Sequence, residues 1–135
     1  RGVEPEFARE MITIAIGKQE TIRPTEKLID ELKAAGYKLY VLSNMSREFI
    51  DFLRKQKVYE NFDGDVVSCE VKAVKPEPEI YRCLLDRFEL DPAETLFIDD
   101  REANLRAAEQ FGITTFHFTE PREESCDRLR ELLLQ

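Results

Sequence analysis

Six residues in this sequence could do chemistry together: Ser43, Asn44, Lys75, Asp99, Asp100 and Asn104. Ser43 and Asn44 close the apolar run YKLYVL, where the next helix would offer free backbone N–H groups, so they form a cradle for an anion. Taken alone, Ser43 or Ser46 reads as a helix cap. Lys75 is followed by Pro76, which biases it to an extended backbone and so aims its ammonium. A lysine without that context is a solvated surface charge. Asp99 and Asp100 follow the apolar run TLFI. Two adjacent carboxylates at the end of a buried strand repel each other and need a cation or donors. A hard divalent ion such as Mg2+, which takes carboxylates, water and phosphate oxygens, meets that need, and a helix N-cap pair is the plainer alternative. Asn104 shares helical spacing with Ala107, Ala108 and Phe111, which points it inward and in reach of Asp100. A hydroxyl, a lysine and a carboxylate pair make a phosphate and Mg2+ site, because phosphoryl transfer needs charge neutralisation above all.

For these residues to meet, they must stand at successive strand ends, and the periodicity supplies such elements. Phe7, Met11, Ile14 and Ala15 recur at helical spacing, which predicts a helix over roughly residues 5–17 that closes near Gly17. Pro24 opens a second helix with Leu28, Ile29, Leu32 and Ala35 on one face and Gly36 as its stop. Strands are predicted over Tyr37 to Leu42, Asp65 to Ser68, Thr95 to Ile98 and Thr114 to Phe118. Between them lie helices carrying Phe49, Ile50 and Leu53 after a Ser46 cap, then Ile80, Tyr81, Leu84, Leu85 and Phe88, then Glu102 to Phe111. Asp91 before Pro92 reads as a capped turn, and Leu129, Leu132 and Leu133 mark a last helix. Strands alternating with helices imply right-handed crossovers and a parallel sheet covered on both faces, with ligands at the strands' carboxyl ends.

The 135 residues suffice for one core without disulfide or metal staples. A net charge of −8, with no basic run interleaved with aromatics, argues against a nucleic-acid partner. No apolar run is long enough to span a bilayer and no leader pattern is visible, so no membrane partner is expected. Cys69, Cys83 and Cys126 lack a CxxC spacing, which suits a reducing, cytoplasmic setting and argues against zinc. Lone His117 and Cys69 read as structural residues, and Glu77 and Glu79 as helix N-terminal charges.

VLSN, KPEPEIY and FIDDREANLRAAEQFGI, in that order, resemble motifs II, III and IV of the haloacid dehalogenase-like (HAD) hydrolases over roughly residues 24–118. The closest likeness is to the branch with α-glucose-1-phosphatase-like proteins and the amino-terminal phosphatase domain of soluble epoxide hydrolases. The resemblance implies an α/β, Rossmann-like core of parallel sheet and flanking helices over residues 21–135, with residues 1–20 the remnant of a helical cap. It further implies that Ser43, Asn44 and Lys75 bind the phosphoryl group, Ser43 and Lys75 serving catalysis. Asp100 would ligate Mg2+, Asp99 would ligate it or act through water, and Asn104 would support them.

One departure matters. The family's motif I, a DxDxT-like segment that ends the central strand and carries the nucleophilic Asp, has no counterpart here. Asp63-Gly64-Asp65 follows motif II and precedes a strand, so it is a decoy, because a nucleophile must sit at a strand's carboxyl end facing the metal. The expectation is therefore a sheet without its central strand, with two apolar edges about 4.8 Å from an empty slot on each side. Arg1 in place of Met points to a longer protein whose preceding segment holds that strand. If these residues are everything, either a partner or second copy donates a strand or the flanking strands close up.

The leading reading is a Mg2+-dependent phosphatase of small phosphomonoesters such as sugar phosphates, working through an aspartyl-phosphate, with this chain inactive by itself. The alternative is a non-catalytic phosphate-binding or protein-interaction module. A phosphoacceptor receiver domain shares the residue types, but there the acids come early and the hydroxyl and lysine late.

Overall fold

The computed structural model describes residues 11–14 and 23–134. Five parallel strands, β1 (Met11–Ile14), β2 (Lys38–Ser43), β3 (Gly64–Val67), β4 (Thr95–Asp99) and β5 (Thr114–His117), form one sheet in the order β3-β2-β1-β4-β5. The helices are α1 (Arg23–Ala34), α2 (Arg47–Arg54), α3 (Ser68–Val71), α4 (Pro78–Arg87), α5 (Glu102–Glu109) and α6 (Arg122–Leu133). Two 3-10 turns, Lys57–Asn61 and Pro92–Glu94, complete the path. No helix among the described residues is long and apolar enough to cross a membrane.

The strand at the centre is a correction to the sequence reading. Residues 11–14 were expected within a helix and the middle slot was expected empty. Instead β1 fills it, pairing Met11 to Ile14 with Lys38 to Val41 on one side and with Thr95 to Ile98 on the other. Neither a strand from another chain nor closure of β2 on β4 is needed to complete the ladder. The remainder of the expected helix and cap remnant, residues 1–10 and 15–20, lies outside the described residues. The physical reason is tertiary: two buried ladders with unpaired N–H and C=O groups are costly, and a β-branched stretch such as Ile12-Thr13-Ile14 satisfies both.

β2 and β4 are buried on both faces, as a covered parallel sheet requires. Leu39, Leu96 and Ile98 pack on one side with Leu28, Ile29 and Leu32 of α1 and Cys126, Leu129 and Leu133 of α6. Tyr40, Leu42 and Phe97 pack on the other with Ile80, Tyr81 and Leu84 of α4 and Leu105 and Ala108 of α5. Gly36 stops α1 as predicted: at φ +100° it donates to Lys33 O (3.0 Å) while Tyr37 N reaches back to Leu32 O (3.2 Å), a Schellman closure. The strands and helices expected between residues 24 and 133 are present, with boundaries shifted by a residue or two. The short helix α3 and the Lys57–Asn61 turn were not anticipated.

Asp63-Gly64-Asp65 does structural work. Asp63 accepts from Leu39 N (2.8 Å) and Lys33 Nζ (2.9 Å), and Asp65 accepts from Arg54 and Tyr59. A Cβ on Gly64 would collide with Cε1 and Cζ of Phe88, whose ring is tilted against that of Tyr40 with centroids 4.6 Å apart. Gly64→Ala is therefore expected to cost about 1–3 kcal/mol of unfolding free energy by overpacking. A urea titration checks this, and in a Phe88→Leu background the same substitution should cost much less; equal costs in both backgrounds would contradict the collision.

Candidate functional site

β1 lies between β2 and β4, and the chain leaves it to one side for β2 and to the other, later, for β4. The carboxyl ends around this reversal are where an open parallel sheet leaves a crevice. Ser43, the last residue of β2, is fully buried and pairs across to Val67. Asn44 comes next, and its side-chain amide grips the backbone of Lys75: Lys75 N donates to Asn44 Oδ1 at 2.8 Å, and Asn44 Nδ2 donates to Lys75 O at 3.3 Å. The Lys75–Pro76 peptide is cis. On the other side Glu77 closes the turn, accepting from Val74 N through Oε1 (3.1 Å) and donating its own N–H to Val74 O (2.7 Å).

From this fixed backbone the Lys75 side chain runs to β4, where Nζ lies 2.7 Å from Asp99 Oδ2. The bridge from Asn44 to Asp99 thus spans two strand spacings, about 10 Å, across the carboxyl end of β1. Both charges are buried, with side-chain exposures of 4% and 2%. Asp99 is well supplied with donors: Asn104 Nδ2 reaches the same Oδ2 (3.0 Å) and Arg101 N reaches Oδ1 (3.0 Å). Tyr81 Oη donates to Asn104 O (2.8 Å), fixing the start of α5. Lys75 Nζ also stands 5.6 Å from the centre of the Phe97 ring.

The electrostatics follow from this packing. Burial lowers the pKa of Lys75 more than Asp99 raises it. For Asp99, burial pushes upward, but Lys75 and the hydrogen bonds it receives win and hold the carboxyl below its ordinary value. Asp100 is shifted the other way, first by burial and then by the Asp99 carboxylate beside it. Its side chain is exposed, and its backbone carbonyl lies 3.1 Å from His117 Nε2. A carboxylate raised by a like charge and open to solvent is one that a cation would relieve. Mg2+ takes one or two carboxylates and fills the rest of its shell with water and phosphate oxygens, so the donor set fits. Asp100 bonds through its side chain to the neighbouring Asp99 carboxyl and is open to solvent, whereas Asp99 already accepts three protein donors and would share in the ion through water. Among the described residues no group of three or more His, Cys, Asp or Glu gathers at one point.

The structure brings Asn44, Lys75, Asp99 and Asn104 into one bonded chain, with Ser43 and Asp100 adjoining it in sequence. Asn104 points inward as expected, but its amide holds Asp99 and not Asp100, because the turn at Arg101 directs Asp100 outward. Sequence reasoning placed Asn44 at the anion and missed that its side-chain amide binds the Lys75 backbone. It also missed Ser68, whose Oγ accepts from Met45 N (2.9 Å) and donates to Met45 O (3.2 Å). The available signal was its position at the end of the DVVS strand, next to the β2 end.

The profile of the family described as haloacid dehalogenase-like hydrolase matches residues 1–112. Bifunctional epoxide hydrolase 2 of Rattus norvegicus is 28% identical over 131 residues, covering 91% of this chain and 22% of that protein. The sesquiterpene phosphatase astK of Aspergillus oryzae is 32% identical over 107 residues, covering 78% of this chain and 54% of that one. The chain therefore spans about half or less of the length of these relatives. A crystal structure of an HAD family enzyme of Bacteroides thetaiotaomicron, in complex with magnesium and inorganic phosphate, superposes with a TM-score of 0.65 at 29% identity, covering 78% of this chain and 55% of that one.

Proposed function

The chain belongs to the haloacid dehalogenase-like hydrolases, and from that premise we propose that it is the core of a Mg2+-dependent phosphatase for small phosphomonoesters, sugar phosphates among them, acting through an aspartyl-phosphate. One observation carries the reading: a buried lysine and carboxylate joined at 2.7 Å, with a second, exposed carboxylate beside them, at the carboxyl ends that flank the sheet's central strand. A cation paired this way keeps a fixed position at the strand ends. Similarity to a phosphatase and to a structure holding magnesium and phosphate supports the phosphate reading, and (S)-2-haloacid dehalogenases of similar identity share the same core.

In this reading Ser43 and the Asn44 N–H hold phosphoryl oxygens, Lys75 neutralises them, and Asp100 holds the metal, with Asp99 orienting it. Bound Mg2+ would supply charge neutralisation for the phosphoryl group. The attacking carboxylate is not among the residues of β1, which are Met, Ile, Thr and Ile. We therefore propose that this chain by itself binds phosphate without turnover. The same feature favours a second reading, a non-catalytic phosphate-binding module. The three free thiols support a reducing, cytoplasmic setting.

The test is calorimetric titration of inorganic phosphate into the chain with and without Mg2+, alongside an Asp100→Ala variant and a phosphomonoester panel. Expected are Mg2+-dependent phosphate binding, its loss in Asp100→Ala, and no hydrolysis. Metal-independent binding equal in both proteins would sink the site assignment, and hydrolysis by the chain would overturn the missing nucleophile.

A further inference from the structure

We infer that Asn44 is a positioning residue, which acts on the bound anion through Lys75 by clamping both polar groups of its backbone, and that Ser68 holds Asn44 in place to do so. The inference rests on the phosphate reading of the site. A lysine is a flexible chain with three rotatable donors, and aiming it costs side-chain entropy unless its backbone is held. Here the backbone of Lys75 has no strand or helix of its own: it belongs to the loop between α3 and α4. What ties it to the sheet is the two-way bond with Asn44, whose acceptor and donor match the N–H and C=O of one residue. Asn44 in turn lies just beyond β2, and the neighbouring Met45 has both its backbone groups bonded by the Ser68 hydroxyl, which continues the β2 to β3 ladder one step past its last pair, Ser43 with Val67. Ser68 therefore anchors Asn44, Asn44 anchors Lys75, and Lys75 reaches Asp99 across the end of β1.

Neither residue contacts the metal candidate Asp100, and that gives the clamp a signature which general loosening would not share. Asn44→Ala should weaken inorganic phosphate binding, measured by calorimetry at saturating Mg2+, by about tenfold, the scale of one lost pair of hydrogen bonds. Mg2+ binding measured without phosphate should stay within about twofold, since the carboxylates keep their partners. Ser68→Ala, one step further removed, should weaken phosphate by a smaller factor, about threefold, with Mg2+ binding again unmoved. Amide exchange gives a second readout: the Lys75 amide should exchange faster in Asn44→Ala while the Met45 amide stays protected. Unchanged phosphate affinity in Asn44→Ala, or equal losses of phosphate and Mg2+ affinity, would overturn the inference while leaving the phosphate reading intact. Absence of phosphate binding in the unmodified chain would take down both.

Discussion

Asp99→Ala is expected to destabilise the domain by about 3–5 kcal/mol, the cost of breaking a buried ion pair from one side. Three donors lose their acceptor at once: Lys75 Nζ, Asn104 Nδ2 and Arg101 N. Two of those are buried side chains, and an ammonium without a counter-charge in that place must shed its proton or draw in water. Lys75→Met should cost less, because Asp99 keeps the Asn104 and Arg101 donors and can take up a proton in place of its lost partner. Removing both charges together, in Lys75→Met/Asp99→Ala, should recover part of the loss, since a pair replaced on both sides leaves no orphan charge. Urea denaturation of the three variants checks the order. A greater loss in Lys75→Met than in Asp99→Ala, or strictly additive losses in the double variant, would mean that the pair is not the closed, buried unit described above.

This pair also shows what a sequence can and cannot announce. The apolar runs YKLYVL and TLFI place Asn44 and Asp99 at strand ends, because a run buried on both faces must stop where polar residues begin. Pro76 marks Lys75 as a lysine with a held backbone. The partners that do the holding are not legible. Asn44 lies 31 residues from Lys75 and Ser68 lies 23 from Met45, and both bonds depend on how two loops meet after the sheet has formed. Asn104 illustrates the same limit: helical spacing turns it inward, but whether it meets Asp99 or Asp100 is decided by the turn at Arg101.

The central strand is where sequence pattern and tertiary demand part company, and Thr13→Pro separates them by the largest margin. Phe7, Met11, Ile14 and Ala15 satisfy a helical period, yet Ile12, Thr13, Ile14 and Ile16 are the β-branched residues that a short buried strand favours; four residues cannot settle the choice by periodicity. The sheet settles it. Thr13 stands opposite Tyr40 on one side and Phe97 on the other, so β1 is central and paired along both edges. Proline removes a ladder donor and is tolerated only at edges, so Thr13→Pro is expected to cost at least about 3 kcal/mol and to abolish slow amide exchange along Leu39 to Leu42 and Leu96 to Ile98. Thr13→Val keeps the β-branched shape and should change stability by no more than about 1 kcal/mol. A helix standing apart from the sheet would respond differently: proline would unravel it locally while β2 and β4 kept their protection. Protection of Leu39 to Leu42 that survives Thr13→Pro would return residues 11–14 to the cap and reopen the slot. Its loss would establish that the carboxyl end over which Lys75 reaches belongs to a strand of this chain.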